Sequence, residues 1–600
     1  MKRISTLIKS NQLKMAFAFY SLFFLILFIQ FPLNKALPGN CDTWLALTLP
    51  SHTFESIKAF FMGVEPGVAM YPVLNPLAYG ESAYAAQIMI MFIKLFGFAD
   101  YWTNYIFISA IFVLTAFSIF IFAGNFVSSF YAKLFAGFVF ACNNMTFAHI
   151  DDSVLLFFFL PALSLHFLYK YFKENKFKHL IISAVFAGIQ IYMAFYVFLY
   201  LAVMIAVFSI VTVKKERIKI SEQIKPALIF FSIVVFVALP NVLFYFKTLF
   251  SLDFVSPFNS LYTAKKASLN PISMALVLKN NLIYPDIGEM LGIPKNWGFI
   301  RHYCFTGLLA LGLFIYSLFK WNRNRLLFLL FALTGVFMAL GPVFQFNFED
   351  LFYSPLYIFY KIIPILSFLR VTCRAHFIFL FAISVASAIS FERLASLFPK
   401  KAFLLIPAFF LIHFVENTPF PMKSFDAHYT EKAPEIFNEI RALDSSAVIL
   451  NLPSFMEIEY PNWDDRIYDN PHNFVAKNKE KETLEIENIG MFVYSWDNLF
   501  EYNREIIYFN WQTRHKLNTV NGVNGYFPTP RMMYQYQISS LPSKEAFQKL
   551  KEWNIDYVIW HQDMIIERDK ISLRDLEKSP CLKKIKVTGD SHLFKLVECK

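Results

Sequence analysis

Up to about residue 416 long apolar runs alternate with short polar and basic breaks; beyond it, short strand-like patterns, turns and charges alternate as in a soluble domain. A spanning helix needs about 20 apolar residues. The runs that approach this length are 15–33, 83–98, 101–124, 131–145, 153–169, 180–213, 226–246, 302–319, 326–343, 375–389 and 402–415. Between them stand basic segments: the N-terminus "MKRISTLIKSNQLK", then "KYFKENKFK" (170–178), "KKERIK" (214–219), "KWNRNR" (320–325) and "FERLASLFPKK" (391–401). The positive-inside rule puts all of them in the cytoplasm.

That assignment imposes a parity condition. With both the N-terminus and Lys170 inside, the crossings between them must be even in number, yet an odd number of apolar runs lies in the interval. The run 83–98 is the one to exclude, being short and carrying Lys94; it is expected to lie along the outer face as a juxtamembrane helix. The run 180–213 would measure about 51 Å as one helix and has basic ends, so it is expected to cross twice. The result is an α-helical polytopic membrane protein of about 11 spans, an expected membrane domain 1–416 with outer loops 34–100 and 247–301, and an extracytoplasmic α/β domain 417–600. Asp42, Asp151, Asp152 and the stretch 344–374 then lie on the outer side. No small-residue cleavage site follows the first run, so an uncleaved span is expected there.

Composition agrees with this picture. The 600 residues are 56% hydrophobic and 16% charged, with 74 phenylalanines, where soluble domains carry about 25% charged residues. The net charge of +11 sits in the short loops, as topology determinants do, and calls for no nucleic-acid partner.

Acids and arginines on the outer side are the candidate chemistry. Asp42, in "PGNCDTWLA", follows the first span closely, and Trp44, Leu45 and Leu47 suggest a helix lying in the interface. Asp151 and Asp152 precede an apolar run, where an aspartate either caps the helix or borders a site. Arg370 and Arg374, four apart in "ILSFLRVTCRAHF", would share a helix face. Such a pair suits a phosphate held bidentately or snorkels to headgroups. His149 is a base, a metal ligand or a buried polar residue; Lys265 and Lys266 are anion contacts or solvated loop residues. No spacing among His149, Asp151 and Asp152 specifies a metal site, so no cofactor is claimed and a divalent cation is left open. Cys581 and Cys599 bracket two alternating strands around Gly589 and Asp590. If this end is outside, a structural disulfide closing that hairpin is expected.

Taken in order, these segments resemble the GT-C superfamily of integral-membrane glycosyltransferases, and within it the YfhO-like bacterial proteins. The carriers are "PGNCDTWLA", "YPVLNPLAYGESAYAAQIMIMFIKLFGFADYWTNYIF", "ACNNMTFAHIDDSVLLFFFLPALSLHFLYK" and "ILSFLRVTCRAHF", followed by "AVILNLP", "NWQTRHKLNTVNGVNGYF" and "LKEWNIDYVIWHQ". Asp-Asp at 151 departs from the Gly-His usual in that pattern. The resemblance implies a bacterial inner-membrane enzyme that moves a sugar from a polyprenyl-phosphate donor to a glycan, lipid or protein hydroxyl on the outer face, with inversion. It implies Asp42 as general base; the chemistry of such a transfer then assigns Arg370 and Arg374, with Lys265 and Lys266 as further candidates, to the donor phosphate, and His149, Asp151 or Asp152 to the acceptor or a metal. The competing readings are a flippase for lipid-linked sugar, which would prefer polar residues deep in spans, such as Gln190 and Asn241, and a non-catalytic envelope assembly protein.

Overall fold

The computed structural model describes residues 2–38, 47–48, 84–150, 152–251, 264, 267–285, 290, 303–319, 324–346, 349–362, 371–422, 424–426, 433–454, 499–521, 534, 537–538, 540–565, 569 and 571–599. Apolar runs become helices nearly throughout. In chain order the membrane body contains α1 (Lys2–Phe28), α2 (Tyr84–Lys94), α3 (Asp100–Ala123), α4 (Phe130–Ala141), α5 (Phe159–Glu174), α6 (Phe177–Met193), α7 (Phe195–Glu216) and α8 (Ile220–Ser251). Further along the chain come α9 (Leu308–Phe319), α10 (Arg325–Ala339), the hairpin β2 (Val343–Phe346) and β3 (Glu349–Tyr353), α11 (Pro355–Ile362), α12 (His376–Leu397) and α13 (Ala402–Asn417). Among the described residues, 5 helices are long and apolar enough to cross a membrane, and shorter apolar helices accompany them.

Several details depart from the apolar pattern. The run 131–145 stops at Cys142, because Asn143, buried and extended, caps a separate short helix, Asn144–Ala148. The run 153–169 opens with a 3-10 turn, Ser153–Leu156, and α5 starts only at Phe159. The long run 180–213 is two helices joined at Ala194, which is extended at φ −158 and ψ 120. The helix α8 continues to Ser251, so the segment from 247 begins helical. The 11 residues of α2 measure about 17 Å, too short to cross a core of roughly 30 Å. Ile88, Phe92 and the following Leu95 are exposed on one stripe, whereas Ala86 and Ile90 pack inward.

Burial separates inner from outer helices. In the most apolar window of α12 78% of residues are buried, and in that of α3 72%, against 22% in α8; α12 and α3 form the centre and α8 faces lipid. Small residues allow the close crossings. A Cβ on Gly137 of α4 would run into the carbonyl oxygen of Ala116 on α3, and the neighbouring Tyr20 hydroxyl donates to Leu134 O at 2.7 Å.

The C-terminal part is built on β5 (Val448–Leu452), β6 (Asn518–Thr519), β7 (Tyr557–His561), β8 (Leu582–Thr588) and β9 (Ser591–Leu596). They form one five-stranded sheet in the order β6-β5-β7-β9-β8. The pairs β5–β6 and β5–β7 are parallel, and β7–β9–β8 antiparallel. Period-2 alternation sends Ile449 and Ile559 to one face and Leu450, Val558 and Trp560 to the other. The first face shares one continuous core with the helix bundle, through Phe437 of α14 (Ile436–Leu443) and Trp511 of α15 (Leu499–His515). Cys581 and Cys599 are joined by a disulfide at the open end of the β8–β9 hairpin. A further pairing ties the two parts: β1 (Ala36–Pro38), after the first span, is antiparallel to β4 (Ser424–Asp426), after α13, with Leu37 opposite Phe425.

Candidate functional site

Three helix ends meet at one end of the bundle. The turn leading to α5 supplies Asp152, the start of α7 supplies Tyr196, and a 3-10 turn just before α12, Thr372–Ala375, supplies Arg374. Arg374 Nη2 donates to Asp152 Oδ2, and the guanidinium lies over the Tyr196 ring with Cζ 5.2 Å from its centroid. Both charged side chains are largely shielded, at 14% and 16% exposure. Asp152 makes no side-chain capping bond to the 3-10 turn that follows it, so the helix-cap reading gives way to an ion pair. The pairing is chemically economical: a carboxylate keeps a guanidinium charged and oriented in a site where water is scarce, and the aromatic face supports the cation from below.

His149, three residues before Asp152, is fully buried. Its Nδ1 donates to Met145 O at 3.0 Å and its ring packs edge-on against Phe377, 5.4 Å between centroids. Among the described residues no group of three His, Cys, Asp or Glu could hold a metal ion. Asp42, Asp151, Lys265, Lys266 and Arg370 lie outside the described residues.

The chain on both sides of Asp42 is nevertheless held. Upstream, β1 is zipped to β4. Downstream, Leu47 and Thr48 are both fully buried; Lys94 Nζ of α2 donates to Leu47 O at 3.1 Å, and Asn510 Nδ2 of α15 donates to Thr48 Oγ1 at 3.1 Å. Lys94 also pairs with Asp100 at 3.2 Å, and Arg514 of α15 stands 4.0 Å from the other oxygen of that carboxylate. The C-terminal part therefore holds the chain on both flanks of the segment that carries Asp42, through β4 and through Asn510.

A second polar assembly lies outside the motifs singled out in the sequence. Asn144 Nδ2 donates to Leu276 O and Tyr303 O at 3.2 and 3.1 Å, while its Oδ1 accepts from Leu278 N at 2.7 Å. Asn143 Nδ2 donates to Asn417 Oδ1 at 3.3 Å. Next to it Glu416 accepts from the Tyr284 hydroxyl at 3.0 Å and from Leu309 N at 3.1 Å. Burial, with the Glu416 carboxylate beside it, pushes Tyr284 up to about 12. These bonds tie Leu276, Leu278, Tyr284, Tyr303 and Leu309 to the short helix after α4 and to the end of α13. Adjacent asparagines inside "FVFACNNMTF" are the available signal, since buried amides must find partners.

No protein-family model matches the chain, and no curated protein matches it in sequence. Its fold does match solved structures. The arabinofuranosyltransferase AftD from mycobacteria, determined by single-particle cryo-EM, matches with a TM-score of 0.56 at 12% identity, over 97% of this chain and 40% of that chain. A structure of a mutant AftD matches with a TM-score of 0.50 at 11% identity, over 97% and 41% respectively. The chain thus spans about two fifths of the length of these structures. It is an integral membrane protein that shares the fold of these structures, a helical body with a C-terminal sheet region.

Proposed function

We propose that this protein is a membrane glycosyltransferase that moves a sugar from a polyprenyl-phosphate donor to a hydroxyl of a glycan, lipid or protein acceptor. The observation that carries the reading is the match to an arabinofuranosyltransferase over 97% of this chain. The ion-paired Arg374 at one end of the bundle gives it a place for the chemistry.

In this reading Asp42 is the general base, removing the acceptor proton as the oxygen attacks the anomeric carbon. The bond from that carbon to the phosphate oxygen breaks on the opposite face, so configuration inverts. Negative charge grows on the departing polyprenyl phosphate and is met by Arg374, with Arg370, Lys265 and Lys266 as further cations. Asp152 holds the guanidinium in place between turnovers. The chain on either side of Asp42 is anchored, upstream at β1 and downstream at Leu47 and Thr48, which supports a fixed place for the base. By the positive-inside argument the reaction faces away from the cytoplasm, with the N-terminus inside, as in a bacterial inner membrane.

A flippase would place its polar residues mid-membrane. Asn241 instead donates to Ile191 O at 3.1 Å, close to the Ala194 break and therefore to the bundle end where Arg374 lies over Tyr196. The test is comparative mass spectrometry of surface glycans and polyprenyl-phosphate lipids from cells with and without the chain. Loss of one sugar from the glycans with accumulation of its lipid donor supports transfer. Accumulation of a donor without any change in sugar content, or no change in either, overturns it.

A further inference from the structure

Between α10 and α12 the described residues present a set of exposed apolar side chains. In the β2–β3 hairpin Phe346, Leu351, Phe352 and Tyr353 are exposed, on both faces of the ribbon. In α11 the exposed positions Pro355, Ile358, Phe359 and Ile362 recur at i, i+3, i+4 and i+7. That is the stripe an amphipathic helix normally buries in its own core. Here it points outward, with Ile358 57% and Ile362 69% exposed.

The inner side is firmly seated. Ser354 donates through its hydroxyl to Gly341 O and through its amide to Pro342 O, which closes the base of the hairpin. Leu356 is buried in the bundle core, and Phe344 stacks on Phe352 across the ribbon with 5.0 Å between centroids. An isolated two-stranded hairpin is at best marginal in water, and one carrying this apolar load on both faces would be worse. The elements are also too short to span. Immediately before them, α10 exposes Leu333 and Phe337 toward lipid, and the uncovered surface continues from α10 into the hairpin.

We infer that the β2–β3 hairpin and α11 form a rigid apolar paddle that lies in the acyl chains of the leaflet on the Arg374 side of the bundle. The occupant of the stripe is bilayer lipid. Because Arg374 follows α11 on the same connection, the paddle sets the depth at which that end of the bundle sits in the leaflet.

The test uses the full chain in nanodiscs of phosphatidylcholine and phosphatidylglycerol, with a nitroxide attached at Phe352→Cys or Ile358→Cys. Phe337→Cys on α10 is the lipid reference and Lys583→Cys on β8 the water reference. All four positions are at the surface, so labelling leaves the fold in place, and the two references verify this. Collision rates with oxygen and with a water-soluble nickel chelate are compared. The expected result at 352 and 358 is the pattern of 337, with oxygen contact exceeding nickel contact several-fold. Nickel contact like that at 583 would put the paddle in water and overturn the inference. Shielding from both reagents would overturn it equally, by assigning the face to a second protein surface.

Discussion

Replacing Asp152 by Asn takes the counter-ion from a guanidinium that is only 14% exposed. Two unit charges 4 Å apart attract by about 4 kcal/mol at an effective dielectric near 20. Residual solvent contact on both groups screens part of this, while the arginine left behind is a poorly solvated lone charge. The expected loss of stability for Asp152→Asn is therefore about 2–3 kcal/mol. Arg374→Gln leaves a carboxylate that can take up a proton, so its expected loss is smaller, about 1–2 kcal/mol. The double variant has neither charge, and its loss should fall short of the sum of the two by about 2 kcal/mol. The assay is unfolding of the purified full chain in mixed micelles of rising dodecyl sulfate content, followed for all four corners of the cycle. Additivity within about 0.5 kcal/mol would mean that the two side chains do not meet, and the reasoning about the site would fail with it.

Other outcomes follow from the same contacts. His561, buried between Ser591 Oγ at 2.9 Å and Asn451 Oδ1 at 3.0 Å, is driven down to about 3 by burial. The unfolded chain takes up a proton below pH 6.5 that the folded one refuses. Stability of the sheet region should thus fall by about 1.4 kcal/mol per pH unit from pH 6.5 toward 3, and show no such dependence above 6.5. Melting followed by tryptophan emission checks this, and His561→Gln should flatten the slope. Gly137→Val should separate α3 from α4, since even a Cβ would meet the Ala116 carbonyl; an overpacking cost of about 1–3 kcal/mol or more is expected, read as a lowered melting temperature in detergent. Asn510→Ala releases Thr48 from α15 and should lower turnover about tenfold, roughly 1.4 kcal/mol of barrier, with donor affinity unchanged. Equal loss of both would place Asn510 in a merely structural role.

The membrane body is legible in the sequence because its signals are local. Apolar runs mark helices, and the basic ends of 180–213 demand a break, which falls at Ala194. The strands β8 and β9 are visible as two alternating stretches around Gly589 and Asp590, whereas β5 and β7, buried along their whole length, lie in segments that only the family resemblance singles out. What escapes depends on partners distant in the chain. Asp152 and Arg374 are 222 residues apart, and no periodicity distinguishes an ion-paired aspartate from a capping one. The start of α5 is hidden because "SVLLFF" is apolar enough for a helix, while tertiary contacts hold Ser153–Leu156 in a 3-10 turn. The pairing of β1 with β4 involves three-residue strands, too short to show any pattern. The paddle passes for part of an outer connection because its residues are as apolar as those of a span but too few to be one.

The most direct test of the central claim is mass spectrometry of surface glycans and polyprenyl-phosphate lipids from cells carrying wild type, Asp42→Asn or Arg374→Gln at matched membrane levels. The account expects both variants to lose the mass of one sugar from the glycans while the corresponding lipid-linked sugar accumulates. Glycans and lipids identical to wild type in both variants would contradict a transferase whose base is Asp42 and whose phosphate cation is Arg374.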